Sequence, residues 1–175
     1  MCELRGAVGY VQFQKLRKTL ERTRAIKKQL VEALAGTPGI ELPLVADPQG
    51  ELGITFAIYL PSVEEAHRFS KALAAEGVSN GTMYNQGVPD RHIYRNWDYV
   101  LNKWTSDRTG YPWAAPYYKG KVEYSPDMCP RTLDYLSRVI KISIHQHWTN
   151  ADTDDVMRAV GKVAAALYGS ERATA

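Results

Sequence analysis

An unbroken helical pattern at the start of the chain restricts the folds that it can adopt. Residues 2–35 contain no proline. Their apolar side chains recur in steps typical of one stripe along an α-helix: Leu4, Val8, Val11, Leu20, Leu30 and Leu34. About 33 residues at 1.5 Å each form a rod of roughly 50 Å, whereas a domain of this length has a radius of gyration of about 15 Å. We therefore expect the rod to protrude, or to pack on a surface that this chain does not supply.

The composition excludes several classes of protein. Hydrophobic residues make up 45% of the 175 residues and charged residues 23%, which is typical of a globular chain. A net charge of +3 is too small to indicate a polyanionic partner. No apolar run approaches the roughly 18 residues of a membrane span. Two cysteines, Cys2 and Cys129, are too few for a disulfide framework, so we expect a reducing, cytoplasmic location and no membrane partner.

The middle of the long helix is basic, and two explanations are open for it. Its cations lie close together along the helix: Lys15, Arg17, Lys18, Arg22, Arg24, Lys27 and Lys28. They could form a face for phosphate or nucleic acid, or a solvated face with intrahelical ion pairs. No nucleic-acid-binding module accompanies them, so we favour the solvated face and expect no nucleic-acid partner.

Beyond the long helix the pattern predicts an α+β fold. Residues 54–60 and 138–145 are β-branched or alternating runs typical of strands, and 41–46 is a weaker candidate because Pro43 interrupts it. One helix is expected from Ser62 to Glu76, and a last helix from Thr149 or Asp152 to Tyr168. This order favours a small mixed or antiparallel sheet with helices on one face.

Residues 79–130 form a long aromatic segment with little periodicity. The segment holds seven of the eleven tyrosines and three of the four tryptophans. Loops of this length are usually functional or disordered, and the aromatic content argues against disorder. Tyr84, Asn85 and the run from Asp90 to Tyr94 could hydrogen-bond a polyhydroxylated ligand that stacks on an aromatic ring. The alternative, at even weight, is that the segment covers a subunit interface.

A metal site is the other chemistry that the residues suggest, and we judge it weaker. His145 and His147 share one face at the end of a predicted strand, and Cys129 could join them as a zinc ligand. No fourth close cysteine or histidine completes a tetrahedral site. We therefore predict a structural histidine pair, and neither a metal site nor a catalytic residue in this chain.

The first sixteen residues carry a resemblance to a known family. They read Met-x-Glu-x-x-Gly-Ala-x-Gly-x-x-Gln-x-x-Lys-Leu, which resembles the segment of DegT/StrS-type sugar aminotransferases that opens the helix leading into the small C-terminal domain. Phe13 stands where leucine is usual. Residues 92–98 resemble a longer-loop branch of that family, and 129–134 and 142–148 resemble its closing segment.

The resemblance implies a fold, a division into domains and an activity. It implies a connecting helix over residues 1–36 and, over 37–175, the small C-terminal domain of a fold-type-I aminotransferase, with 79–130 as an inserted aromatic loop. Such enzymes transfer an amino group, here from glutamate, to a keto-sugar or nucleotide-sugar. They hold pyridoxal phosphate (PLP) on a lysine of a large N-terminal domain that lies upstream of the matched segment. The chain is thus expected to be a C-terminal part that binds no PLP and is inactive alone.

The resemblance also implies partners and site residues. Tyr84, Asn85, His92 and Trp97 would lie on the side of the nucleotide-sugar or amino-sugar substrate, with no catalytic or cofactor-binding residue among them. A homodimer, or association with a large-domain partner, is expected. The alternative is a non-catalytic remnant that serves as a dimerisation or sugar-binding module.

Overall fold

The computed structural model describes residues 2–83 and 89–169, and it confirms the predicted α+β class. The chain divides into two compact units, which we call the first unit (residues 1–82 and 138–175) and the second unit (residues 83–137). The first unit contains α1 (Glu3–Leu34), β1 (Thr55–Tyr59), α2 (Val63–Ala75), β2 (Gly81–Thr82), β3 (Val139–Ser143) and α5 (Asn150–Tyr168). The second contains α3 (Asp98–Leu101) and α4 (Pro130–Ser137). No helix in the described part is long and apolar enough to cross a membrane.

The long helix α1 is buried in its second half only. Its 32 residues rise by about 48 Å. Thr23, Ile26, Leu30 and Leu34 are its buried residues, all on one face. In its first half Leu4, Val8, Val11 and other large apolar side chains are exposed, and Val8 retains 55% of its accessible surface. The first unit therefore supplies a packing surface for half of the rod, in line with the expectation from its length.

The sheet is antiparallel and has β3 at its centre. Among the described strands the order is β1-β3-β2, and Phe56 lies opposite Ile142 while Ile58 lies opposite Ile140. These four side chains are almost fully buried and form the core with α1, α2 and α5. The predicted strand at 41–46 is reduced to one bridge between Glu41 and Tyr59, because Pro43 lacks the N–H that a longer ladder needs.

The other two long helices begin at capping residues that the sequence indicates. The Ser62 hydroxyl accepts a hydrogen bond from the Glu65 N–H at the start of α2. At α5 the cap is Thr149, and Asp152 is the reciprocal partner in a capping box. The backbone N–H and the hydroxyl of Thr149 both donate hydrogen bonds to the Asp152 carboxylate. These bonds, the backbone one first, lower the pKa of Asp152. Both caps orient a helix over the sheet.

A clamp joins α1 to the segment before β1. The Thr23 hydroxyl donates to the Leu52 carbonyl at 2.8 Å, Arg24 donates to the Glu51 carbonyl, and Lys27 is ion-paired with the Glu51 carboxylate. Gly53 lies against the helix with φ of 73°, and a Cβ there would be 2.8 Å from the backbone nitrogen of Arg24. Only a glycine fits this close approach.

The second unit has little regular structure, and the sequence analysis predicted neither of its helices, α3 and α4. The helix α4 begins at Pro130, where the fixed φ of proline suits a first helical position, and it buries Leu133. Ile93 and Ala115 are the other buried apolar residues of this unit among those described. Its shape therefore depends on local hydrogen bonds more than on a large core.

Replacing Gly53 with alanine should destabilise the first unit. The positive φ alone costs about 1–3 kcal/mol for a residue with a Cβ, and the contact with Arg24 adds to it. Urea unfolding followed by circular dichroism would measure the loss. The matched control is Gly161→Ala in α5, where a Cβ meets nothing within 4 Å; it should raise the free energy of unfolding by about 0.5–1 kcal/mol. Equal stability of both variants would contradict the clamp.

Candidate functional site

The most organised polar feature of the second unit is the segment of residues 90–97, which we call the Asp90–Trp97 loop. Asp90, its first residue, fixes the local backbone conformation through hydrogen bonds. One Asp90 carboxylate oxygen accepts from the His92 N–H at 2.9 Å, as in turns initiated by aspartate. The Asp90 carbonyl accepts from the Ile93 N–H at 3.1 Å and from the Asn96 side-chain amide at 2.8 Å. The loop is thus held by its own hydrogen bonds.

A second segment, residues 126–129, closes the base of this loop. The Tyr94 hydroxyl donates to the Pro126 carbonyl at 2.9 Å and accepts from the Cys129 N–H at 3.0 Å. Arg95 forms an ion pair with Asp127 at 3.3 Å. These contacts join two segments that are more than 30 residues apart in the chain, so the loop has a fixed base although the unit has few buried side chains.

The loop presents an imidazole and an indole to solvent. The His92 side chain is 96% exposed, and its Nδ1 lies 2.8 Å from the Asp90 carboxylate. Trp97 is 44% exposed, and its ring N–H donates to the Arg91 carbonyl at 2.6 Å. An exposed imidazole can exchange hydrogen bonds or protons, and an exposed indole face can stack on an apolar ring surface.

The predicted site residues divide into two pairs. His92 and Trp97 belong to the same loop and are both exposed, whereas Tyr84 and Asn85 lie outside the described residues. All four assignments remain predictions. Sequence reasoning placed Asp90 and Tyr94 in a polar run that could hydrogen-bond a ligand, but it did not predict that they hold the loop together. The spacing of Asp90 and His92, two residues apart, is a signal that could have indicated their contact.

Further aromatic side chains are exposed beyond this loop in the same unit. Tyr99 meets Trp104 edge to face at 5.8 Å. The Tyr117 hydroxyl donates to the Tyr111 hydroxyl at 3.0 Å, and this bond raises the pKa of Tyr117. The exposure of these rings agrees with either explanation for the aromatic segment, a ligand surface or a subunit interface.

The first unit has a groove of about 870 Å³ between α1 and residues 42–57. Its walls are mainly apolar, and Phe56, Val31 and Leu42 contribute to them. Two lysines line the groove. Lys27 is paired with Glu51, and its pKa is lowered by burial; Lys28 is largely exposed and lies 3.7 Å from the Glu32 carboxylate. Lys27 is thus engaged in holding α1 to the segment before β1.

His145 and His147 lie side by side after the end of β3, and no described residue joins them in a metal site. His145 and His147 have ring centroids 5.0 Å apart, and the His147 N–H donates to His145 Nδ1 at 3.3 Å. Within residues 2–83 and 89–169, no group of three or more histidine, cysteine, aspartate or glutamate side chains is arranged to hold a metal ion.

Comparison with known proteins identifies relatives of this chain. Residues 1–107 match the model of the DegT/DnrJ/EryC1/StrS aminotransferase family. The structure of S. venezuelae DesV, in complex with a ketimine intermediate, is similar with a TM-score of 0.63 and 22% identity, over 90% of this chain and 35% of that one. The aminotransferase TlmJ from Streptoalloteichus hindustanus matches with a TM-score of 0.62 and 16% identity, over 91% of this chain and 36% of that one.

A further match has the sugar chemistry in its name. The sugar aminotransferase CalS13 from Micromonospora echinospora is similar with a TM-score of 0.56 and 18% identity, over 90% of this chain and 34% of that one. At these identities the solved structures show the fold alone. The chain spans about a third of the length of each of them.

Removing the Tyr94 hydroxyl should loosen the base of the Asp90–Trp97 loop. In Tyr94→Phe the Cys129 N–H loses its acceptor, and a hydrogen bond of this kind contributes about 0.5–1.5 kcal/mol. We expect the Cys129 amide to exchange with deuterium several times faster, as measured by NMR. Tyr99→Phe removes the hydroxyl of a tyrosine that is 69% exposed and should leave that rate unchanged. Unaltered exchange in Tyr94→Phe would show that the hydroxyl does not hold the two segments.

Proposed function

The chain belongs to the DegT/DnrJ/EryC1/StrS aminotransferase family, and from this premise we propose that it forms the small-domain part of a sugar aminotransferase. The reaction would be the transfer of an amino group from glutamate to a keto-sugar or nucleotide-sugar. The observation that carries the proposal is the family match over residues 1–107 together with the fold match over nine-tenths of the chain. The sugar class rests on relatives such as CalS13.

The cofactor of such an enzyme, PLP, does not fit the residues of this chain. PLP supplies the electron sink for amino-group transfer, and the protein must offer a lysine amine that can act as a nucleophile. Lys27 of the groove is tied to Glu51 in the clamp that holds α1, and Lys28 lies on the exposed face of the helix. We therefore propose that the PLP site belongs to a large domain outside these 175 residues, and that the chain alone is inactive.

The exposed apolar side chains in the first half of α1 support the proposal that this surface packs on a partner. A helix of about 16 residues that stands free in water is marginally stable, and glycines at positions 6 and 9 lower its stability further. Its exposed apolar side chains, such as Leu4, Val8 and Val11, would be covered by association with a large domain or with a second copy of the chain. We propose such an association, and a cytoplasmic location for the assembly.

The substrate side of the site is proposed to include the Asp90–Trp97 loop. His92 and Trp97 offer a polar contact and a stacking surface a few residues apart, which suits a sugar ring with hydroxyl groups on its edge and C–H groups on its face. Tyr84 and Asn85 precede this loop in the sequence, and we propose them as further substrate contacts.

A second function is supported by the same surfaces. A non-catalytic module that dimerises through α1, or binds a sugar on its exposed aromatic rings, would need neither the lysine nor the large domain. Both functions require a covered α1 surface. They differ in whether a PLP enzyme forms when the missing domain is added.

Mixing the chain with PLP separates the two functions. With stoichiometric PLP the chain alone should give no imine absorbance that borohydride abolishes, because the lysine that holds PLP is proposed to belong to the large domain. Adding a separately expressed large domain of this family, encoded by an adjacent reading frame, should produce that absorbance under the aminotransferase proposal. Its absence with a soluble, folded large domain would favour the non-catalytic module.

Charges on the exposed half of α1 should prevent the association without unfolding the chain. Val8→Glu combined with Val11→Glu changes two exposed residues, so the free energy of unfolding should move by no more than about 0.5 kcal/mol each. Binding of the large domain, or self-association seen by sedimentation, should weaken at least tenfold. Gln14→Glu adds a charge at another exposed position of α1 and is the control for charge alone. Unchanged association in the double variant would show that this surface stays uncovered.

A further inference from the structure

We propose that Asp90 is a positioning residue that fixes the tautomer of His92, so that His92 Nε2 accepts a hydrogen bond from a substrate hydroxyl. The inference deepens the proposed function, and it rests on that function for the identity of the ligand as a sugar. The tautomer itself follows from the geometry of the second unit.

The contact between the two side chains determines where the imidazole proton lies. His92 Nδ1 is 2.8 Å from the Asp90 carboxylate oxygen. An ionised carboxylate only accepts hydrogen bonds, so Nδ1 must be the donor and carry the proton. A neutral imidazole has one N–H, and Nε2 is therefore left with its lone pair. In this tautomer Nε2 can accept a hydrogen bond and cannot donate one.

The loop holds Asp90 in the position that this contact needs. The same carboxylate oxygen accepts the His92 backbone N–H, and the Asp90 carbonyl is bonded to Ile93 and Asn96. The Asp90 side chain retains only 26% of its accessible surface, whereas that of His92 retains 96%. The Asp90 carboxylate is thus held in place beside His92 Nδ1, and the rest of the imidazole is open to solvent.

The neighbouring indole restricts the ligand class further. The Trp97 N–H donates to the Arg91 carbonyl, so Trp97 offers a ligand its ring face and no donor. With His92 Nε2 as an acceptor, the pair would recognise a group that donates a hydrogen bond beside an apolar surface. A sugar hydroxyl next to the C–H face of its ring has this chemistry. A sulfate or carbonyl oxygen, which only accepts, does not.

The tautomer is measured directly by two-bond ¹⁵N–¹H correlation spectra of the labelled chain. The spectra are recorded at a pH above which the histidine resonances no longer move, so that the neutral imidazole is observed. We expect His92 to favour Nδ1–H by at least about tenfold, the ratio expected for a hydrogen bond to a charged acceptor. His67, exposed on α2 in the first unit, is the internal reference for an ordinary histidine.

Substitutions at Asp90 test whether this residue sets the tautomer. Asp90→Asn keeps an acceptor oxygen for the turn but loses the charge, so the preference should fall. Asp90→Ala should bring His92 to the tautomer ratio of His67. Asp127→Ala, which removes the partner of Arg95 in the same unit, should leave the ratio unchanged. A protonated Nε2 in the unaltered chain, or an unchanged ratio in Asp90→Ala, would overturn the proposal.

The ligand class is tested with two probes at the same pH. Methyl β-D-glucopyranoside should shift the His92 Nε2 resonance and the Trp97 indole signals, and inorganic sulfate, which has no donor, should not. Concentrations up to about 100 mM reach the millimolar range of weak ligands. A response to sulfate alone, or to neither probe, would overturn the assignment of a hydroxyl ligand. These measurements need neither PLP nor a large domain, so their failure is distinct from failure of the aminotransferase proposal.

Discussion

The attachment of the second half of α1 to the sheet is the interaction on which the first unit depends. Ile26 and Leu30 are completely buried in the core that the strands form with α2 and α5, and the adjacent turn of the helix is bonded to the segment that leads into β1. Thr23 illustrates the arrangement, since its hydroxyl is buried and donates to the Leu52 carbonyl. A buried polar group without a partner would cost about 1–3 kcal/mol. The clamp therefore sets the position of the rod relative to β1 as well as adding stability.

This attachment explains why half of α1 remains exposed. Once the helix is fixed at Thr23 and Gly53, its remaining turns extend beyond the sheet, because no other element in the described part of the first unit covers them. The chain covers about a third of the solved structures that it matches, so a surface that is exposed here need not be exposed in a longer assembly. The apolar residues on those turns are consistent with a helix that serves two packing surfaces, of which this chain contains one.

Periodic patterns of residue type made the main helices and strands predictable. The parts that are held by contacts without such a pattern could not be predicted. The apolar spacing of α1, the β-branched runs of β1 and β3, and the caps Ser62 and Thr149 are all readable from residue type, because burial repeats with the period of the element. The helix α4 buries little beyond Leu133 and so leaves no clear period. The loop around His92 depends on contacts such as that of Tyr94 with Cys129, which join distant segments and have no local signature. For the candidate site, residue chemistry indicated the region, but only the structure shows that Asp90 anchors the His92 ring.

The division of chemical roles follows from where charges can be buried. An amine that must act as a nucleophile needs an environment in which its neutral form is accessible, and burial in the groove does lower the pKa of Lys27. Glu51 opposes that effect, because the ion pair stabilises the ammonium. His92 is in the opposite situation, exposed and oriented by a carboxylate that leaves one nitrogen unoccupied by the loop. A side chain of that kind suits recognition of a ligand that arrives from solvent. The two groups thus differ in role: His92 is proposed to contact a substrate, whereas Lys27 holds α1 to the segment before β1.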